Sequence, residues 1–518
     1  MDSTTTVAMP HGVGSDSGGD GGEPAGGLRR ELGRLDTVLF LLSAMVVVDT
    51  VGAVVSGGAQ ALTWMLVLGL TFFVPSALVT AELGAALPDE GGAYVWVREA
   101  FGRSAGALAS FLYWAGTPVW VGGSVAVVAV TAVDRFVTPL DAAGRLLVGA
   151  VVVLAATAGG VVPLRYGKWV PNSGAVAQVA LLTFFTVTAL GYGAQHGFHP
   201  PTLASARPTS AVFVAVVPVL FYSFVGLELP SAAGGEMRDP RRDVPAAILR
   251  AGIVQVLMYG APVLAILTVL PAAGLTSLAG FVDALRAVLT VYGGGVGPDG
   301  QVVLTGAGAT LSALAAVVLV WVLLASACTW MMGGARVQAV ACADGGGPRT
   351  LGTVSARTGV PVRMTLVTGG AALAVLGAGL LATGADAQRY FTVTLVGTIA
   401  FESLTFLLVY PAFLRLRVAR PGLERPFRAP GGTLAAAGLT VLAGAWTVVV
   451  SACLLWPGLG WPDPDRLLPA GFEGRRAEFE LLVGTPVAVV LAAFAVHRLV
   501  AARSARTAAV PAPRPPRA

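Results

Sequence analysis

Four acidic residues lie inside long apolar stretches of this 518-residue chain, namely Asp49, Glu82, Glu228 and Glu402. A charged side chain at the centre of a membrane helix costs at least about 2.5 kcal/mol. Each carboxyl group must therefore face the interior of a helix bundle or a water-filled cavity. Burial disfavours the charged form of a carboxyl, and a buried carboxylate attracts cations strongly. Such groups can bind and release protons or hold a positively charged ligand.

Each of these residues also has a structural interpretation, in which the carboxyl group is satisfied by a hydrogen bond to a neighbouring helix. We favour that interpretation for Glu82, which lies close to the predicted cytoplasmic end of its helix. We favour a functional role for Glu228, because it lies beside a helix-break signal. For Asp49 and Glu402 both interpretations stay open. Glu228 and Glu402 are the two candidates for a proton-coupling group.

The composition indicates what surrounds these groups. Hydrophobic residues make up 55% of the chain and charged residues 12%, which is about half the charged share of a soluble domain. A soluble enzyme and a disordered chain are both excluded, and a polytopic membrane protein is predicted. Twelve apolar stretches are each long enough to cross about 30 Å of hydrocarbon. They are 36–56, 61–87, 104–134, 144–163, 171–194, 209–234, 245–270, 302–335, 362–384, 389–415, 433–456 and 481–500.

Positive charge predicts how these stretches are oriented. With the N-terminus in the cytoplasm, roughly three quarters of the Lys and Arg residues fall in cytoplasmic segments, as the positive-inside rule requires. We therefore expect a multi-pass protein of the cell membrane with both termini in the cytoplasm. Four segments are expected: a disordered tail, a core of ten helices, a basic loop with two further helices, and a Pro/Arg tail. Their bounds are 1–35, 36–415, 416–503 and 504–518.

Several classes of function have no sequence signal. The three cysteines and four histidines show neither a CxxC nor an HExxH pattern, and there is no GxxxxGK[ST] motif. We expect no metal, no cofactor, no enzymatic activity and no nucleic-acid partner. Among the classes of function, transport across the membrane that is driven by an ion gradient or by exchange is still compatible with the sequence.

Two of the apolar stretches carry signals that interrupt a helix. The first contains Gly52 shortly after Asp49. The sixth contains Gly226 and Pro230 on either side of Glu228. Glycine and proline both weaken helical hydrogen bonding. A lone glycine is compatible with simple packing, but a pair five helices apart favours an inverted-repeat transporter that binds its ligand between the two breaks.

Several segments also match a known signature. One runs from Pro75 through Ala81-Glu82-Leu83 and Gly91-Gly92 to Ala100-Phe101-Gly102; others are Gly235-Glu236-Met237-Arg238-Asp239-Pro240, Gly334-Ala335-Arg336-Val337 and Arg425-Pro426-Phe427-Arg428-Ala429-Pro430. Through them the chain resembles the amino acid–polyamine–organocation (APC) superfamily of secondary transporters over about 36 to 450. The resemblance implies an all-α LeuT-type fold of about 12 transmembrane helices, with a 5+5 inverted repeat and two additional C-terminal helices.

The departures from the family concern charge. Where many amino-acid carriers have a run of small residues at the first break, this chain has Asp49 before Thr50 and Gly52. An ionised Asp49 would attract an amine and repel a substrate carboxylate. Some relatives place a lysine in the fifth helix, but here Gln178 lies near that position and the single lysine, Lys168, lies at the predicted membrane edge.

Residues at the breaks and nearby aromatic residues form the predicted substrate site. The resemblance implies an aromatic lid near Tyr222, and an aromatic face can also hold a cation. For Trp330 and for Trp120 in the third helix, core packing is the simpler interpretation. The predicted substrate-binding residues are Asp49, Thr50, Gly52, Tyr222, Phe224, Gly226 and Trp330.

Three functions are compatible with these features. The first is a secondary active transporter that moves amino acids across the cytoplasmic membrane by alternating access, with proton coupling or exchange as the driving process. The second is an importer of polyamines or other organic amines, which Asp49 favours. The third is a non-transporting nutrient sensor or a channel. The expected partners are a small-molecule substrate, protons as one candidate coupling ion, and the lipid bilayer. The oligomeric state stays open.

Overall fold

The protein is described here by a computed structural model, which covers residues 6–7, 33–45, 48–89, 91–232, 237, 239–270, 280–297, 301–355, 358–383, 386–459, 461, 463–469 and 471–508. The helices of the first half are α1 (Arg34–Met45), α2 (Val51–Val55), α3 (Ala59–Ala86), α4 (Ala93–Phe101), α5 (Arg103–Phe136), α6 (Ala142–Gly160), α7 (Leu164–Gly167) and α8 (Trp169–His196). Those that follow are α9 (Ser210–Ser223), α10 (Leu229–Ala232), α11 (Pro240–Val269), α12 (Gly280–Leu289), α13 (Gly306–Ala343), α14 (Val362–Ala382), α15 (Ala387–Ala419), α16 (Gly432–Leu455) and α17 (Arg476–Ala508).

Ten helices in the described part of the chain are long and apolar enough to cross a membrane. They are α3, α5, α6, α8, α11, α13, α14, α15, α16 and α17. The first and sixth predicted crossings are each divided into two short helices, α1 with α2 and α9 with α10. Together these segments account for the twelve predicted crossings, so the prediction of an all-α polytopic membrane protein is confirmed.

The order of crossings explains the inverted repeat. Successive crossings alternate in direction, and the interrupted helices open two successive sets of five crossings. Because five is odd, α9 runs in the opposite direction to α1, and the second set is inverted relative to the first. We call the end of the bundle that carries Arg34, Ala86 and Arg103 the N-side, and the opposite end the far side.

Helices in the middle of the bundle differ from those at its edge in burial. In α5 and α15, which pack along each other, 78% of the most apolar segment is buried. In α16 and α17 the corresponding shares are 28% and 17%. The two C-terminal helices therefore line the outside of the bundle, where lipid is their expected solvent, and the buried glutamates Glu82, Glu228 and Glu402 lie in the ten-helix core.

Local chemistry explains several boundaries. Asp141 accepts a hydrogen bond from the Gly144 amide at the start of α6, and Asp386 accepts one from the Arg389 amide at the start of α15. Both are N-cap interactions, which satisfy backbone donors that a helix start leaves free. Three short helices that were not predicted lie between crossings, α4 and α7 on the N-side and α12 on the far side.

Short strands and turns complete the described chain. Strands β2 (Gly294–Val296) and β3 (Val302–Leu304) form an antiparallel hairpin, and β1 (Thr6–Val7) pairs antiparallel with β4 (Val354–Ser355). Short 3-10 turns lie at Val48–Thr50, Thr290–Tyr292, Arg349–Gly352 and Pro464–Leu467. Most of the predicted N-terminal tail and the segment 509–518 lie outside the described residues, and α17 continues to Ala508 within the predicted C-terminal tail.

Candidate functional site

The two interrupted helices approach each other at their breaks. Helix α1 ends at Met45, and a 3-10 turn follows at Val48–Thr50. Helix α9 ends at Ser223, and Gly226 then adopts a φ of +104°, a conformation that strongly favours glycine. The Thr50 hydroxyl oxygen lies 3.4 Å from that of Ser223. Both helices are interrupted as predicted and the interruptions meet, but the first lies between Met45 and Val51, before Gly52, which is inside α2.

Trp330 of α13 lies against both breaks. Its indole nitrogen donates a 3.0 Å hydrogen bond to the Ala44 carbonyl in the last turn of α1. A Cβ atom on Gly226 would lie 3.5 Å from the Trp330 ring, which is van der Waals contact distance, so the ring lies directly beside the second break. The rings of Tyr113 and Trp120 on α5 are each 6.1 Å from Trp330 between centroids. Four crossings therefore meet at this tryptophan.

Gln255 of α11 binds both broken helices with one amide nitrogen. Its Nε2 donates to the Met45 carbonyl at 3.1 Å and also to the Ser223 carbonyl. These carbonyls belong to the last residues of α1 and α9, where a helix leaves its acceptors unsatisfied. One turn further along α11, the Tyr259 hydroxyl is hydrogen-bonded to the hydroxyls of Ser223 and Thr50.

The other predicted substrate residues lie around the same region. Tyr222 and Phe224 are buried, and the Phe224 ring is 4.9 Å from that of Phe73. A Cβ atom on Gly52 would lie 3.0 Å from the backbone nitrogen of Phe281 in α12, so Gly52 allows close packing and its role in substrate binding stays a prediction. The side chain of Asp49 lies outside the described residues, and charge selection by Asp49 also stays a prediction.

Glu228 and Glu402 are both buried, with 3% and 1% of their surface exposed. Glu228 follows the sixth-helix break, and its Oε1 accepts a 3.0 Å hydrogen bond from the Tyr113 hydroxyl. In the part of the chain that the structure describes, Oε2 of Glu228 and Oε2 of Glu402 have no hydrogen-bond partner, and neither carboxyl forms an ion pair. Unsatisfied buried oxygens are rare and costly, which makes this pair the strongest candidate for ligand contact.

One face of α5 brings the two carboxyl groups together. Tyr113 contacts Glu228, while a Cβ atom on Gly116 would lie 3.4 Å from Oε1 of Glu402. Residues three apart on a helix share a face. Glu228, which directly precedes α10, and Glu402 of α15 therefore approach the same strip of α5.

Glu82 has the structural role that we favoured. Its Oε1 lies 3.4 Å from Arg417 Nε and 3.1 Å from Arg425 Nε, and its Oε2 accepts a 2.8 Å hydrogen bond from the Ala429 amide. The Arg417 and Arg425 side chains are 1% and 8% exposed. This buried cluster ties the N-side end of α3 to the end of α15 and to the loop that follows it.

Lys168 is likewise part of a structural contact. Its ammonium lies 2.8 Å from a carboxylate oxygen of Asp36 on α1, whose other oxygen accepts from Asn172. The fifth-helix position near which some relatives carry a lysine holds Gln178, which is buried. The lone lysine therefore fastens α1 to the start of α8 at the N-side.

A more exposed network on the N-side surrounds Asp344, just beyond α13. Its carboxylate accepts a hydrogen bond from the Tyr94 hydroxyl and lies 3.2 Å from Arg98 and 3.4 Å from Arg103. Partial burial acts to raise the pKa of Asp344, but the hydrogen bonds from Tyr94 and Arg98 and the neighbouring positive charges outweigh it and hold the pKa below its usual range. Ionised Asp344 thus joins α13 to α4 and to the start of α5.

Asp344→Asn is therefore expected to lower stability by about 1 kcal/mol or less at neutral pH, as partly exposed ion pairs do. The pKa of Asp344 is lower in the folded state than in the unfolded state, where it is about 3.9. The contribution of Asp344 to the free energy of unfolding is therefore fully present above the unfolded-state pKa and is lost as pH falls through the folded-state pKa. The melting temperatures of wild type and variant should thus differ at pH 7 and converge below about pH 4. A constant difference across that range would contradict this assignment.

Three residues of this region were not predicted. Gln255 could have been noticed as an uncharged polar residue in the apolar stretch 245–270. Tyr113 and Tyr259 had no such signal, because tyrosine is common in helix bundles and only the fold shows that these hydroxyls face Glu228 and the breaks.

Interrupted helices that meet beside buried carboxyl groups, in an inverted repeat, define a secondary-transporter class of membrane protein. The chain belongs to the amino acid permease family of the APC superfamily, whose model matches residues 32–460. It is 25% identical over 400 residues to a probable agmatine/putrescine antiporter of Lactococcus lactis subsp. lactis, covering 76% of this chain and 81% of that protein. It is 30% identical over 407 residues to an uncharacterized transporter of Mycobacterium bovis, covering 77% and 83%.

A solved structure supports the fold. The chain superposes on the manganese transporter of Eremococcus coleocola with a TM-score of 0.54, covering 89% of this chain and 95% of that one. At 12% sequence identity the likeness is one of fold alone.

Proposed function

We propose that this protein is a secondary active transporter of the cell membrane that moves small organic amines by alternating access. The observation that carries the proposal is the pair of buried carboxyl groups, Glu228 and Glu402, each with an oxygen that lacks a partner among the described residues. A buried carboxylate without a cation is very costly, and an ammonium group is the ligand that would balance it.

The carboxyl groups differ in their surroundings, and we assign them different roles. Glu228 already accepts a hydrogen bond from Tyr113 and follows a helix break, so we propose it as the proton-linked group. Oε2 of Glu402 has no hydrogen-bond partner among the described residues, so we propose that this carboxylate holds a substrate ammonium group. Trp330 and Tyr222 would cover the substrate, with cation–π attraction adding to the ion pair.

Amino acids are the competing substrate class, and they are the first of the three functions compatible with the sequence. An amino acid also needs a partner for its carboxylate, and among the described residues no arginine or lysine pairs with Glu228 or Glu402. The names of two relatives, the probable agmatine/putrescine antiporter and a rice polyamine transporter that is 26% identical over 42% of this chain, also support amines. We also propose that the N-side of the bundle faces the cytoplasm, because the basic segments then obey the positive-inside rule.

Uptake by proteoliposomes containing the purified full-length protein tests this proposal. We expect uptake of labelled putrescine and agmatine to exceed that of leucine by about tenfold or more, because each unmatched charge in such a site costs more than the 1.4 kcal/mol that a factor of ten represents. A pH gradient or putrescine inside the vesicles should drive this uptake of labelled amine. Uptake of leucine with no uptake of either amine would instead support the amino-acid interpretation.

A further inference from the structure

We propose that Gln255 is a positioning residue of the transport site, which fixes the two broken helices relative to each other. This role rests on the proposed transport function, but the residue itself touches only protein groups. Its side chain is completely buried, and its amide nitrogen is the contact that α11 makes with the carbonyls of Met45 and Ser223.

The orientation of the Gln255 amide follows from its partners. Both contacts are backbone carbonyl oxygens, which only accept hydrogen bonds, so the NH₂ group must face them and use both of its hydrogens. The amide oxygen then points away and has no partner among the described residues. Because that unsatisfied oxygen costs free energy, the geometry indicates that the two donated bonds determine where this side chain lies.

The placement of the two carbonyls gives these bonds their effect. Met45 and Ser223 end α1 and α9, which enter the bundle from opposite sides. The C-terminal end of a helix carries partial negative charge, so the two ends would repel each other without a donor group between them. Gln255 supplies that donor, and any separation of the breaks must cost at least one of its hydrogen bonds.

The same geometry links Gln255 to the carboxyl site. The Met45 side chain lies 3.4 Å from where a Cβ atom of Gly226 would be, and Glu228 follows two residues later. A shift of α1 against α9 would therefore displace Glu228 from the Tyr113 hydroxyl. Gln255 acts on Glu228 through the backbone of both breaks.

Gln255→Met tests the role of the donor, because methionine has a similar volume and no N–H group. Gln338→Met is the matched control, since Gln338 is also a buried glutamine but bonds to Ser110 and Cys342 on the N-side. Gln255→Lys is the rescue variant, because an amine keeps at least two N–H donors whether charged or neutral.

Backbone hydrogen exchange of the full-length protein in nanodiscs gives the readout without any substrate. We expect residues 33–45 and 210–232 to exchange about tenfold faster in Gln255→Met than in wild type, a factor corresponding to one net hydrogen bond. Gln338→Met should leave both segments unchanged, and Gln255→Lys should restore most of their protection. The proposal would be overturned if both segments exchanged at the wild-type rate in Gln255→Met, or if they exchanged equally fast in Gln338→Met and Gln255→Met.

Transport and yield provide independent measurements. The KM for putrescine should rise about tenfold in Gln255→Met with a smaller change in the maximal rate, because the site is displaced more than the cycle is slowed. If wild type takes up no amine, the substrate proposal fails while hydrogen exchange still decides the role of Gln255. If Gln255→Met does not fold but Gln255→Lys does, the result supports the donor role of Gln255. If neither Gln255 variant folds while Gln338→Met does, the result counts against that role.

Discussion

Glu402→Gln is expected to weaken putrescine binding by about two orders of magnitude, with the protein still folded. The variant keeps the shape of the side chain and removes the charge that we assign to the substrate ammonium. Removing one member of a desolvated ion pair typically costs about 3–5 kcal/mol, and each factor of ten in affinity is about 1.4 kcal/mol. Equilibrium binding of labelled putrescine to the purified variant measures the loss.

Two companion variants separate this effect from general damage. Ser403→Ala changes the next residue of α15, whose hydroxyl is hydrogen-bonded to Ser451 of α16 and not to the carboxyl pair, and it should bind putrescine like wild type. Glu228→Gln should retain most of the binding and flatten the pH dependence of transport, because it removes the proposed proton-linked group. If Glu402→Gln binds putrescine as wild type does, Glu402 is not the ammonium ligand.

Carboxyl groups were found from the sequence because an acidic residue in an apolar stretch has few explanations. Glu228 and Glu402 stood out for that reason, and both lie in the buried centre of the bundle. The break at Gly226 was equally visible, since glycine and proline flank Glu228 in an otherwise apolar helix. Composition and charge context thus predicted the fold, the interruption of both helices and two acidic residues that the structure buries, but not that the two carboxyl groups approach the same helix.

Side-chain direction around a break could not be predicted in the same way. The helical repeat that assigns residues to faces is lost where the helix unwinds, so the sequence could not show that Gly52, a predicted substrate residue, also packs closely against α12. The partners of Gln255 are 210 residues away at Met45 and 32 residues away at Ser223. Only the three-dimensional arrangement shows that one amide reaches both helix ends.

The buried cluster around Glu82 carries the largest expected effect on stability. Glu82→Gln removes the negative charge that faces Arg417 and Arg425, and both arginine side chains remain buried. Stranding buried charges in this way costs about 3–5 kcal/mol. We therefore expect a markedly lower melting temperature and yield for the full-length variant, measured by thermal unfolding in detergent.

Glu99→Gln is the matched control for Glu82→Gln, because Glu99 also pairs with two arginines on the N-side, Arg98 and Arg420, but with 24% of its side chain exposed. Solvent screens such pairs, so its loss should cost about 1 kcal/mol or less. Adding Arg425→Gln to Glu82→Gln should recover part of the stability, since one stranded charge is then removed.

The Glu82→Gln protein that does fold should keep the wild-type affinity for putrescine, because the cluster lies at the end of α3 and does not include the carboxyl pair. Equal melting temperatures for Glu82→Gln and Glu99→Gln would show that the buried cluster does not stabilise the fold, and a selective loss of putrescine affinity would move Glu82 from a structural to a functional role.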